Sequence, residues 1–299
     1  MSSADGPGGL IRGHVLDRTS AVPAVPRQPV RLEIVERGST SERLTVTDAR
    51  GAFAFPGLPV GGGVPRVFLV RTEYQGVPYG TRVELAAETP TQTADLDVYQ
   101  ATRDHAAVHG TIAFAVVETS QGAVRISVIQ RLENTTRRAV VGSDADPLVF
   151  PLPLGAQAVE LIGGWQHPQV AHGAITDAIA VPPGVLQVGY AYDLAPRASR
   201  FTVDWALPYG AADVEMLVND PALILSGAGV RRAGVVADSG RHFTRWSAGA
   251  VPRGGEIAWT FDGLAGRDDR WPASAAIVLC VLLGGGLTAA LRRRPAAAS

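Results

Sequence analysis

Lysine is absent from this 299-residue chain, and all 27 basic residues are arginine. Cysteine occurs once, at Cys280. One thiol excludes a disulfide framework, a CxxC redox pair, a c-type haem attachment site and a cysteine-based zinc site. Methionine stands only at Met1 and Met216, which excludes a methionine-rich copper site. With 28 acidic residues against the 27 arginines, the formal charge is −1, and no nucleic-acid partner is implied. No GxSxG elbow, SxxK, HExxH or P-loop motif occurs. The composition therefore predicts neither a cofactor nor a catalytic centre.

One long apolar run is present. Pro272–Leu291 reads PASAAIVLCVLLGGGLTAAL without a charged side chain. Twenty helical residues at about 1.5 Å each span roughly 30 Å, the hydrocarbon thickness of a bilayer. Trp271 stands at the interfacial position before it, and Arg292, Arg293 and Arg294 follow directly. This pattern predicts a single transmembrane helix with the lipid bilayer as its partner. Arginine bias places the tail 292–299 in the cytoplasm and the bulk of the chain outside. That orientation requires an export signal, and Met1–Gly9 has neither a basic nor an apolar signal region. The rival is a tail-anchored protein facing the cytoplasm.

Ahead of the run the pattern is β throughout. Short stretches rich in Val, Ile, Leu, Phe and Thr alternate with Gly, Pro and Asp turns. In the first third, strands are predicted at Gly9–Asp17, Pro29–Glu36, Ser41–Thr47, Ala52–Phe55, Arg66–Tyr74, Pro78–Ala86 and Thr93–Tyr99. Three segments there carry a family likeness: Gly13-x-Val15-x-Asp17, Pro29-Val30-x-Leu32, and Thr47-Asp48-x-x-Gly51-x-Phe53-x-Phe55-x-x-Leu58-Pro59. Together, residues 9–99 resemble the carboxypeptidase regulatory-like domain, a prealbumin-like β-sandwich. Physically, Phe53, Phe55 and Leu58 read as core plugs behind the hairpin. The resemblance implies an extracytoplasmic habit and a wider class that includes carbohydrate-binding-like folds. It implies no reaction. No metallopeptidase motif accompanies it, and without lysine the isopeptide crosslink of related adhesin domains cannot form.

Residues 100–107 read as a linker. From 108 to 265 a second set of strand patterns follows, clearest in Phe201-Thr-Val203-Asp-Trp205-Ala-Leu207, whose period of two puts Phe, Val, Trp and Leu on one face. Its layout resembles an immunoglobulin-like sandwich. Residues 266–271 then form a juxtamembrane linker. The predicted fold class is all-β: two tandem β-sandwich domains, prealbumin-like then immunoglobulin-like, followed by one C-terminal transmembrane helix, with residues 1–8 a flexible N-terminus.

The residues with most to offer a ligand are few. Gly163-Gly164-Trp165-Gln166-His167-Pro168 lies off any strand pattern. Trp165, with His167 beside it, reads either as a stacking platform for a sugar ring or partner side chain, or as a plug folded over the sandwich. Tyr74 and Tyr79 flank a turn at Gly76-Val77-Pro78, and such tips carry binding in sandwich domains. His105 and His109 are spaced for one helical face, but a linker-to-strand setting argues against a metal site. Asp238-Ser239-Gly240-Arg241-His242 clusters triad residue types in one loop, where a turn is the expected reading. The sequence points to a non-enzymatic, membrane-anchored protein of the bacterial envelope that binds or scaffolds a protein partner. The alternative is carbohydrate binding through loop aromatics.

Overall fold

A computed structural model describes residues 8–61, 65–120, 123–143, 146–238 and 240–264. The expected span at 272–291 and its flanking Trp271 and Arg292–Arg294 lie outside the described residues. Among the described residues no helix is long and apolar enough to cross a membrane.

The chain is all-β. Strands β1 (Gly9–Asp17), β2 (Pro29–Glu36), β3 (Ser39–Val46), β4 (Ala52–Leu58), β5 (Arg66–Tyr74), β6 (Val77–Val83), β7 (Thr91–Thr93), β8 (Leu96–Val98) and β9 (Ala101–Thr102) come first. A 3-10 turn at His105–Ala107 separates them from β10 (Val108–Ser120), β11 (Ala123–Asn134), β12 (Ala139–Val141), β13 (Leu148–Pro151), β14 (Gln157–Gly163), β15 (Pro168–Ala171) and β16 (Ala174–Asp177). Then come β17 (Ala180–Val181), β18 (Gly184–Leu194), β19 (Arg200–Leu207), β20 (Asp213–Val218), β21 (Ile224–Ser226), β22 (Arg231–Asp238), β23 (Arg241–Ala248) and β24 (Gly255–Asp262).

Two compact units form. The first takes residues up to Ala107 together with Asn134–Gly142 and Ala180–Gly184. Its sheets are β3-β2-β5-β6 and β4-β1-β7, with β8 also on β1. Alternation explains the packing. Val30, Leu32 and Ile34 of β2 and Phe68 and Val70 of β5 point to one side, toward Ile11 and Val15 of β1 and Phe53, Phe55 and Leu58 of β4. Fully burying an apolar side chain of this size contributes about 1.5–3 kcal/mol, so this cluster is the main source of the unit's stability. The Asp48–Gly51 turn that feeds β4 is held by its own side chain. Asp48 Oδ1 accepts the N–H of Arg50 at 2.8 Å and of Ala52 at 2.9 Å. These two donors hold the carboxyl below its usual range, Ala52 contributing most.

Residues 100–107, expected as a linker, instead carry β9 and the 3-10 turn. Strand β9 joins β12 and β17 in the order β17-β12-β9, so two later segments of chain belong to the first unit. Asn134 pins the first of them. Its Nδ2 donates to the carbonyls of Arg138 (2.7 Å) and Val181 (2.8 Å), while Oδ1 accepts from the N–H and hydroxyl of Thr136. The side chain is buried and fully engaged, so the Asn134-Thr135-Thr136 triplet is a structural clasp.

The second unit is built on a seven-stranded sheet ordered β14-β18-β11-β10-β20-β23-β22. Strands β10 and β20 run parallel in its centre. Sheets β19-β24-β21 and β13-β16-β15 complete it. Val203, Trp205 and Leu207 of β19 and Ile257, Trp259 and Phe261 of β24 are buried, as the period of two requires. Tyr190, Tyr192 and Trp246 are buried with them.

Candidate functional site

Trp165 sits between β14 and β15. Gly164 makes the reversal possible: its φ is +85°, and a Cβ there would lie 2.0 Å from the Gln187 carbonyl oxygen. The turn brings the indole back over the sandwich. Its Nε1–H donates to the Gly189 carbonyl at 2.7 Å. The ring meets Phe150 edge-on at 5.1 Å and Tyr190 at 6.2 Å. Below it, Tyr190 is buried and its hydroxyl accepts from Gln130 Nε2 at 2.9 Å. Burial pushes the Tyr190 phenol up to about 12, against the opposing pull of Gln130 and of Trp205.

The chain past Trp165 is held by one carboxylate. Asp177, buried on β16, accepts the N–H of Gln166 at 2.8 Å and of His167 at 2.9 Å. This clasp turns the Gln166 and His167 side chains out to solvent. Of the two readings open for Trp165, the geometry is that of the plug. The indole is a half-buried plug whose one donor is used internally, and the outward groups are its two neighbours.

Tyr74 and Tyr79 also depart from expectation. The β5–β6 hairpin turns on Gln75 and Gly76, both with positive φ, which pairs Tyr74 with Val77 across the strands. Both tyrosines are half-buried against the first unit's core. The Tyr74 hydroxyl donates to Asp17 Oδ2 at 3.1 Å, and the Tyr79 hydroxyl donates to the Tyr99 carbonyl at 3.1 Å. Burial raises both phenols, that of Tyr79 to about 12. Asp17, 3% exposed, also accepts from the Thr19 N–H at 2.8 Å and from Gln100 Nε2 at 3.3 Å. Burial opposes its ionisation, but Thr19, Tyr74 and Gln100 together hold the carboxyl below its usual range. The tyrosines therefore brace one end of the sandwich.

Among the described residues no three His, Cys, Asp or Glu side chains are placed to hold a metal. His105 lies in the 3-10 turn and His109 on β10, which removes the shared helical face. Ser239 lies outside the described residues, and His242 is exposed. An open groove of about 360 Å³ in the first unit is lined by Pro59, Gly61, Arg66, Leu85 and Glu88. Its arginine is already spent on Glu36, whose carboxyl it holds low, and on the Gly61 carbonyl. On the large sheet, Arg125 bridges Glu160 and Asp193, Arg241 pairs with Glu118, and Arg245 pairs with Glu215. These arginines are structural, and Arg241 also lies over the Phe243 ring at 5.1 Å.

Several of the large apolar side chains that the units leave in water stand on edge strands and turns. Leu154, in the Pro153–Ala156 turn, is 102% exposed. Leu44 (71%) and Val46 stand out from edge strand β3, and Val235 (61%) and Val236 from edge strand β22. Strand pattern alone does not single these out, because a Leu or Val in a strand reads as core.

No protein-family model matches the chain, and no curated protein matches it. Among solved structures, an M1 zinc metallopeptidase from Deinococcus radiodurans is similar over 52% of this chain and 42% of its own, at 10% identity and a TM-score of 0.34. A likeness at that level carries no argument about activity.

Proposed function

We propose that this chain is a non-catalytic binding or scaffolding protein of the bacterial cell envelope, held at the membrane by residues 272–291 with its β units outside. The observation that carries the binding role is the set of apolar side chains held out at strand edges and on a proline-stiffened turn. Leu154 is the sharpest of them. Covering such a side chain is worth about 1.5–3 kcal/mol, so a partner seated on two or three gains a useful affinity. The ligand-sized alternatives are less supported, since Trp165, Tyr74 and Tyr79 all turn their polar atoms inward. The likeness of residues 9–99 to the carboxypeptidase regulatory-like domain supports the extracytoplasmic setting. Phe53, Phe55 and Leu58 are buried in the core of that first unit. The second unit serves as the immunoglobulin-like partner-binding element.

The test is photo-crosslinking in intact cells, with a benzophenone amino acid placed singly at Leu44, Leu154 or Val235. Discrete protein adducts at one or more of these positions, and none at the exposed polar position Thr202, are expected. Uniform absence of adducts ends the binding proposal. A pull-down on envelope polysaccharide, lost on Trp165→Ala, would instead favour the carbohydrate reading.

A further inference from the structure

Edge strand β22 is the place where the second unit departs furthest from a closed sandwich. It pairs with β23 alone and ends the seven-stranded sheet. Residues Arg231–Ala237 are exposed on both of its faces. Natural edges are blunted by charged side chains, proline, bulges or a covering loop. Here there is no proline, and the charges of Arg231 and Arg232 and the bulge at Arg232/Gly234, with φ +128° at Gly234, stand at the start of the strand and leave Val235–Ala237 undefended. Beyond it Val235, Val236 and Ala237 pair in regular register with Thr244, Phe243 and His242. Their outer backbone groups form a row open to another strand. Beside them, Arg231 and Arg232 are exposed and have no ion-pair partner among the described residues, unlike Arg125, Arg241 and Arg245 on the same sheet. Ile224 of the neighbouring edge strand β21 adds a third exposed apolar side chain.

We infer that β22 accepts an extended segment of a partner protein as an eighth, antiparallel strand. That segment carries β-branched residues opposite Val235 and Val236 and two carboxylates at its C-terminal end opposite Arg231 and Arg232. Backbone pairing supplies the affinity of such an augmentation, and the side chains select the sequence. A second copy of β22 fits less well, because it brings two more unpaired arginines to the same ladder. This inference rests on the protein-binding reading above and names where, and to what chemistry, it applies.

The test uses the full chain in detergent with two synthetic peptides, Thr-Val-Thr-Val-Gly-Glu-Glu and its counterpart ending in Lys-Lys. The acidic peptide is expected to bind about tenfold tighter, the effect of two screened surface charge pairs, and to lose that advantage in high salt. It should also slow amide exchange in residues 233–237. Arg231→Glu with Arg232→Glu should reverse the preference; both side chains are exposed, so the fold is retained, and Arg231→Gln with Arg232→Gln serves if it is not. Equal binding of the two peptides, or an acidic peptide that leaves residues 233–237 exchanging as before, overturns the inference. Crosslinks in cells at Leu154 but not at Val235 would retain the binding role and discard β22 as its seat. Crosslinks at none of Leu44, Leu154 and Val235 would discard both.

Discussion

Asp177 should be among the more costly side chains to remove outside the hydrophobic cores. It is 1% exposed and accepts two backbone N–H groups, from Gln166 at 2.8 Å and His167 at 2.9 Å. Hydrogen bonds to a charged acceptor contribute about 1.5–3 kcal/mol each, and orphaning a buried donor costs about 1–3 kcal/mol. Both donors are only part-buried and regain some water when the carboxylate goes. Asp177→Ala should therefore cost about 2–4 kcal/mol, a large share of an ordinary domain's stability. Asp177→Asn keeps one acceptor oxygen and should cost about half as much. Urea unfolding of the full chain in detergent reads the loss, and amide exchange at residues 165–168 reports whether it is local. A loss below about 0.5 kcal/mol for Asp177→Ala, the range of an ordinary surface change, would refute the claim that this carboxylate positions the Trp165–His167 segment.

Three further outcomes follow from particular contacts. Gly164→Ala should cost about 3 kcal/mol or more in the same unfolding measurement, since the new Cβ meets the Gln187 carbonyl and the residue must hold a positive φ. Asp17 has its folded-state pKa held below the ordinary carboxylate value, so its contribution is present above that value and is lost as pH falls through the folded one. Between about pH 5 and pH 2 the melting temperature of the native protein should drop further than that of Asp17→Asn, and parallel curves would contradict the assignment. For the membrane orientation, a cysteine introduced at the exposed Ser41 should react with a membrane-impermeant maleimide on intact cells, whereas labelling only after lysis would reverse the topology.

Much of the strand framework is legible in the sequence. Strands β1, β2, β5 and β19 fall where alternation predicts, because each has one apolar face. Elsewhere local pattern is too weak. Strands β12 and β17 have three and two residues, and only pairing with each other and, for β12, with the distant β9 makes them strands. The β15–β16 hairpin turns on His172 and Gly173, both at positive φ, a signal that two four-residue strands are too short to announce. The site was less legible than the fold. A tryptophan beside two glycines suits a platform or a plug equally well. The Gly189 carbonyl and the rings of Phe150 and Tyr190 decide it, and these come together only in three dimensions. Val235 and Val236 present the opposite problem: apolar strand residues read as core, and only the position of β22 at the end of the sheet leaves them outside.

The central claim is that these exposed edges are covered by a partner in the envelope. Hydrogen–deuterium exchange compared between native membranes and the purified chain in detergent tests it most directly. The account predicts slower exchange in the membranes for at least one of residues 39–46, 152–156 and 231–238, with the core strands β5 and β18 unchanged. Identical exchange in all three segments would contradict it.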